Sequence, residues 1–154
     1  MLRLDAHRFL ERNGLAVNTQ NTKERKAILL TGAHHSRELV SVQMVLYSIL
    51  DLLHGLVHLD PERLILLQRN KYFFIPALNV DGSQKIKDHY DETGELLYKR
   101  KNMDDTYEKK AGVDCGEMEM GVDINRNYGY NWKYEDDPCS ESFPGPYHFS
   151  EPES

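Results

Sequence analysis

Several things are scarce in this sequence, and each scarcity removes a class of protein. There are only two cysteines, Cys115 and Cys139, too few for a disulfide-scaffolded miniprotein or a four-cysteine zinc knuckle. Positive charge is not in excess: 19 Lys and Arg against 25 Asp and Glu give a formal net charge of -6. A nucleic-acid binder needs a basic footprint that this chain lacks. Long hydrophobic runs are missing as well. The most apolar stretch is interrupted by Asp51, His54 and His58, so no membrane span is expected. The opening residues, MLRLDAHRFLERNG, carry charges throughout, unlike the apolar core of a secretory signal. No internal repeat or low-complexity tract is visible. Apolar residues make up 40% and the mean hydropathy is -0.64, lean for a globule but outside the disordered range.

What is present alternates between strand-like and helix-like patterns, which predicts an α/β fold. Residues 2–12 read as a short helix ended by Asn13-Gly14, and polar residues 18–26 as a loop. Ala27–Thr31, AILLT, is a short apolar run stopped by Gly32, the pattern of a buried strand. A helix follows, with Val42, Val45, Leu46, Ile49, Leu50, Leu53, Leu56 and Val57 expected on one face. Pro61 starts a further turn through Leu67. Lys71–Pro76, KYFFIP, is a second strand running into the turn signal Asn79-Val80-Asp81-Gly82. Residues 84–121 read as loops and short helical pieces, and 121–128 as a short strand. The rest is an irregular tail rich in Pro, Gly, Ser and acids, long enough to suggest a functional loop.

Three constellations carry chemistry. In Gly32–Glu38, GAHHSRE, a buried strand gives way to a helix, and ligands collect at the carboxyl ends of strands in α/β sheets. His35 and Glu38 are three apart and can face one point. An imidazole nitrogen and a carboxylate oxygen suit zinc, although a catalytic zinc takes three protein ligands; the bare pattern also fits a solvated loop. Neither H-E-x-x-H nor H-x-x-E-H occurs, because Leu39 follows Glu38. The second constellation is Arg100-Lys101-Asn102 and the third Asp123-Ile124-Asn125-Arg126-Asn127. A guanidinium can clamp a carboxylate or hold an oxyanion. Taken alone, Tyr98–Lys101 reads as a solvated basic face and Asn125-Arg126 as a loop.

In this order the pieces resemble the zinc carboxypeptidases of the A/B type. TGAHHSRE looks like that family's G-x-H-[SA]-R-E, and FIPALNVDG is similar to its strand followed by N-P-D-G, with Val80 in place of Pro. YKRKN resembles W-R-K-N, with Lys99 where an aromatic residue is usual. GVDINRNY is similar to G-V-D-L-N-R-N-F, and PCSESFPGPYHFSEPES to C-S-x-x-[FY]-x-G-P-x-x-F-S-E-P-E. The resemblance implies part of a three-layer αβα zinc-peptidase fold with a mixed sheet. Residues 27–154 would be the N-terminal part of the catalytic domain, behind a partial segment 1–26.

The resemblance also implies roles. His35 and Glu38 would be zinc ligands, Arg37 a subsite arginine touching the substrate peptide, and Arg100 the arginine that polarises the scissile carbonyl. Asn125 and Arg126 would bind the terminal carboxylate, which distinguishes a peptide end from an internal amide. His34 falls out of register and reads as structural or solvent-facing. The family's third zinc ligand and its catalytic Glu lie beyond the S-E-P-E segment, so the chain is expected to be an incomplete, inactive fragment. Only one strand is evident ahead of the His motif, where the family has two. Cys115 and Cys139 would form a disulfide, contributing about 3 kcal/mol by closing a loop of about 25 residues. That pairing would place the protein in a secreted or other oxidising compartment; two free thiols in a cytosolic chain are the alternative. The implied activity is hydrolysis of C-terminal residues from peptides with one zinc. A non-catalytic module that binds peptide C-termini and a zinc amidohydrolase of similar fold are the alternatives.

Overall fold

The computed structural model describes residues 1–15 and 25–154, in two compact units. The first unit comprises Met1–Gly32 and Val40–Pro76. Its three strands are β1 (Leu2–Leu4), β2 (Lys26–Thr31) and β3 (Asn70–Ile75), in the order β1-β3-β2. β1 runs antiparallel to β3 with Leu2 opposite Phe74, and β2 runs parallel to it with Ala27 opposite Lys71. A parallel pair requires a crossover. Here two helices supply it, α2 (Leu39–Val57) and α3 (Pro61–Arg69), while α1 (His7–Arg12) follows β1. Side chains alternate along β3, so Tyr72 and Phe74 enter the core together with Ala6, Leu10, Val45, Leu52, Leu56 and Leu67. Both crossover strands fall where the apolar runs predicted them. The helix expected over 2–12 is instead a strand and a shorter helix. β1 therefore supplies a second strand ahead of the His motif, which the sequence reading did not find. Three residues are too few for periodicity to separate a strand from a helix, and pairing with β3 decides between them. The loop expected over 18–26 lies outside the described residues except for its last two.

α2 corrects the sequence reading in two ways. Its packed stripe is Val45, Ile49, Leu52 and Leu56, whereas Leu46, Leu50, Leu53 and Val57 are exposed. Apolar residues surround most of the helix, so composition does not fix which arc meets the sheet. By length and composition α2 is also apolar enough to cross a membrane, despite Asp51 and the two histidines. Such a helix also serves as the core element of an α/β unit, as its packed stripe does here. α3 begins as Pro61 predicts: Asp60 caps it by accepting from the Arg63 amide at 3.0 Å.

The second unit comprises Ala33–Leu39 and Ala77–Ser154. It contains α4 (Val80–Thr93) and three short helices, α5 (Thr106–Ala111), α6 (Gly116–Glu119) and α7 (Ile124–Asn127). α4 lies where a turn followed by loops and short helical pieces was expected. Its sequence has little apolar periodicity because only Gly82 and Ile86 are buried. Its stability comes instead from the Asn79 cap and from spaced polar pairs, Gln84 to Asp88 and Lys87 to Asp91. The strand expected over 121–128 is one helical turn, capped by Asp123, which accepts from the Asn125 amide at 2.9 Å. Cys115 and Cys139 form the disulfide, with Cα atoms 5.0 Å apart.

Candidate active site

The loop from Ala33 to Glu38 is fixed by its buried members. Ser36 is fully buried; its hydroxyl donates to the Lys99 carbonyl at 2.9 Å and its amide to the Arg100 carbonyl at 3.2 Å. Asn79 ties the same two segments together, because its side-chain amide donates to the carbonyls of His34 (3.2 Å) and Arg100 (3.3 Å). The other end of that amide caps α4 through the Gly82 N–H at 3.0 Å. Gly82 is required by close approach. A Cβ there would lie 2.6 Å from Asn79 Oδ1 and 2.7 Å from Ser36 Oγ. This explains the glycine of the N-V-D-G segment, and Val80 stands at the first helical position, where proline is favoured.

Held in this way, His35 lies between two carboxylates. Its Nδ1 is 2.9 Å from Glu38 Oε1, and its Nε2 is 3.1 Å from Asp123 Oδ1. The His35 ring is buried, while the Glu38 side chain is 53% exposed. Arg100 meets the other oxygen of the same aspartate, with Nε at 3.0 Å and Nη2 at 2.8 Å from Asp123 Oδ2. Asp123 is thus the shared partner of His35, Arg100 and the Asn125 amide. Burial pushes the Asp123 carboxyl up, but the hydrogen bonds from His35 and Arg100 outweigh it and hold the carboxyl below its ordinary value.

Arg37 is drawn elsewhere. Its guanidinium pairs with Glu141 Oε1 at 2.6 Å and stacks 4.3 Å from the centre of the Tyr98 ring. Asn125 and Arg126 are exposed and line a groove of about 730 Å³ that also includes Tyr130, Lys133, Tyr134 and Ser142. His34 is half-buried, and its Nε2 lies 2.9 Å from the Tyr128 hydroxyl.

Tyr98–Lys101 is not the solvated face it resembles. Lys99 and Lys101 are fully buried on either side of Arg100. Lys99 donates to the Met120 carbonyl, and Lys101 donates at 2.8 Å to the carbonyls of Pro138 and Ser140, which flank Cys139. Carbonyl dipoles satisfy these ammonium groups without a carboxylate, and burial pushes each down to about 8. Two buried asparagines link the remaining motifs. Asn102 accepts from the Val122 amide at 2.7 Å and donates to Glu151 at 2.6 Å. Asn127 donates to the Pro144 and Tyr147 carbonyls and accepts from the Glu151 amide. Sequence reasoning assigned no role to Asp123, Asn79, Asn102 or Asn127. The signal it could have used is that each is a short polar residue inside a motif next to a functional one.

The donor types beside each other here, an imidazole nitrogen and a carboxylate oxygen, are ones that zinc accepts. A neutral imidazole has one N–H, so it can donate to only one of its two carboxylate neighbours. With the proton on Nε2, toward Asp123, the Nδ1 lone pair faces Glu38, an arrangement that a bound cation stabilises. A carboxylate holding the second nitrogen of a ligating histidine is the usual support of such a ligand. His35 and Glu38 therefore fit two places in a zinc site. Among the described residues no group of three or more His, Cys, Asp or Glu is arranged to hold a metal.

The family model for zinc carboxypeptidases matches residues 8–154. The protein named inactive metallocarboxypeptidase ecm14 from Sclerotinia sclerotiorum is 33% identical over 138 residues, 88% of this chain and 21% of that protein. A protein of the same name from Paracoccidioides brasiliensis is 36% identical, over 81% of this chain and 19% of its own length. The chain thus spans about a fifth of the curated relatives it matches. Among solved structures, carboxypeptidase A from Helicoverpa armigera superposes with a TM-score of 0.65 at 29% identity, covering 98% of this chain and 31% of that one. Thrombin activatable fibrinolysis inhibitor gives 0.63 at 27% identity, covering 84% and 29%. The fold is therefore part of a carboxypeptidase-like α/β domain with a mixed sheet, and the chain belongs to the zinc carboxypeptidase family.

Proposed function

We propose that the protein is a zinc-dependent carboxypeptidase that hydrolyses C-terminal amino acids from peptides, and that residues 27–154 are the N-terminal part of its catalytic domain. The observation that carries this reading is the junction at Asp123, where one buried carboxylate orients both the candidate zinc ligand His35 and the candidate electrophile Arg100. In this proposal His35 and Glu38 hold the metal, and the third ligand and the general base come from the remainder of the domain. Zinc at such a site polarises a carbonyl and lowers the pKa of water. Arg100 directs its guanidinium at the oxygen where charge develops in the transition state, the kind of fixed donor that lowers a hydrolytic barrier. Asn125 and Arg126, open on their groove, take the terminal carboxylate of the peptide; a guanidinium and an amide together recognise its two oxygens. Arg37, stacked on Tyr98, contacts the peptide farther from its end. The disulfide fits an oxidising compartment, and we take secretion as its source.

A second reading has one observation in its favour. The curated relatives are named inactive, so the clamp can persist as a non-catalytic receptor for peptide C-termini. One pair of measurements separates the readings. Calorimetry of this chain with a short peptide and with its C-terminal amide should show binding of the free acid only, lost in Arg126→Ala; equal binding of both would overturn the clamp. The full-length protein should then cleave the same peptide and stop on chelation. Binding without cleavage would leave the receptor reading in place of the enzyme.

A further inference from the structure

The far end of α2 carries residues that the carboxypeptidase reading does not use. His54 and His58 are four apart, so they stand one above the other on the same side of the helix. Both are exposed, and their rings are in contact, with centroids 4.2 Å apart. They line an open groove of about 510 Å³ with Asp51, Asp60 and Arg63. We propose that His54 and His58 form a two-histidine chelating site for a borderline transition-metal ion, Cu²⁺ above all and Zn²⁺ or Ni²⁺ more weakly.

Three features support this. First, the spacing is right: residues four apart share a helix face, the two rings are already in contact, and each imidazole nitrogen binds such an ion at about 2.0–2.1 Å. Second, the electrostatics are right. The rings occupy the last turn of α2 and the residue after it, and the carbonyl end of a helix favours a positive charge. Asp51 and Asp60 add negative charge at the rim, offset in part by the Arg63 guanidinium paired with both. Third, the acidic neighbours are already committed. Asp51 accepts two hydrogen bonds from the Arg63 guanidinium, at 3.2 and 3.3 Å, and Asp60 caps α3. The site thus offers two nitrogen ligands rather than a mixed set of oxygens, with water completing the coordination. Nitrogen donors of this kind select Cu²⁺, Ni²⁺ and Zn²⁺ over Mg²⁺ or Ca²⁺, with Cu²⁺ first in affinity.

The test is titration of the protein with Cu²⁺ alone, followed by calorimetry and by electron paramagnetic resonance. Wild type should bind one equivalent that is held much more weakly in His54→Gln and in His58→Gln, and only the wild-type spectrum should show two equatorial nitrogens. Removing either ring should weaken that equivalent by about a hundredfold, the lower end of what two linked ligands gain over one. A register variant, Leu53→His with His54→Leu, keeps two histidines but sets them five apart and off the shared face, and it should behave like the single variants. Both rings are exposed, so these changes leave the core intact, which circular dichroism would verify. Equal affinity and an unchanged spectrum in the variants would overturn the proposal. So would a register variant that binds as well as wild type.

Discussion

At the scale of single residues, Asp123 concentrates the greatest consequence in one side chain. It is fully buried and accepts from His35 and Arg100 at once. Asp123→Ala would leave the Arg100 guanidinium without its carboxylate, and removal of one partner from a buried pair costs about 3–5 kcal/mol. The same change releases the His35 ring, so zinc affinity should fall by about 10–100-fold, as when the support of a ligating histidine is lost. Competition with a chromophoric chelator would measure this, and unchanged affinity in a folded variant would separate Asp123 from the metal site. The buried lysines make a different prediction. Burial lowers Lys99 and Lys101 from an ordinary value of 10.5 to about 8. Below pH 8 both folded and unfolded chains carry these charges and the burial cost is full. Between pH 8 and 10.5 the folded chain binds fewer protons than the unfolded one, so stability rises with pH across that window. The urea midpoint should therefore be higher at pH 9.5 than at pH 7.5, and Lys101→Met should flatten the difference. A wild-type midpoint that falls over this interval would contradict the burial of these amines. Neither feature was legible in the sequence. Asp123 and the two lysines look like ordinary charged loop residues until distant carbonyls and His35 are brought to them, whereas His35 and Glu38 could be found because their spacing is local.

At the scale of elements, the unit around the site is held by loops pinned at a few points rather than by long periodic segments. Asn79 combines a helix cap with two loop-bridging hydrogen bonds. Asn79→Ala should lose the cap, about 1 kcal/mol, together with the buried bridges; the Arg100 carbonyl keeps the Ser36 amide, while the His34 carbonyl loses its Asn79 donor at a further ~1–3 kcal/mol. A partly exposed cap without bridging hydrogen bonds to other loops, Asp60→Ala, should cost about the first amount, so the difference between the two in thermal unfolding measures the bridging role. Gly121 supports the same network: it adopts φ +100, and a Cβ there would lie 2.1 Å from the Asn102 carbonyl oxygen. The Cys115–Cys139 bridge closes the remaining loop, and its reduction should lower stability by about 3 kcal/mol on the chain-entropy account. A thermal scan with and without reductant checks this. β2, β3 and α3 were legible because each announces itself locally, by an apolar run or by a proline behind a cap. α4 was not, because a helix with two buried residues has almost no apolar period to read. β1 was not either, because its strand geometry comes from β3 and not from its own three residues.

At the scale of the molecule, the composition noted at the outset bears on how the chain behaves in solution. Apolar residues are only 40% of the sequence, yet many of them are not buried. Leu46, Tyr47, Leu50, Leu53 and Val57 are all exposed on α2, with Met44 and Val40 nearby. These side chains cover one arc of a single helix, so they form a contiguous patch and not the scattered exposure normal for a soluble surface. The three-stranded sheet adds to this, since β1 and β2 each pair only with β3 among the described residues, and open edges template further pairing. In the two solved structures named above, the matched region is about a third of the whole, so a large part of each lies outside the match. The 154-residue chain studied alone should therefore bind a hydrophobic dye such as ANS in its native state. Leu46→Gln with Leu50→Gln should reduce that fluorescence by a large fraction without loss of helix, because neither side chain belongs to the packed stripe of Val45, Ile49, Leu52 and Leu56. Leu52→Ala should do the opposite, costing about 2–5 kcal/mol from the core while leaving the patch in place. If instead the chain unfolds in one sharp transition as a monomer that ignores the dye, the outer arc of α2 is covered in solution and the assignment of its two faces must be revised.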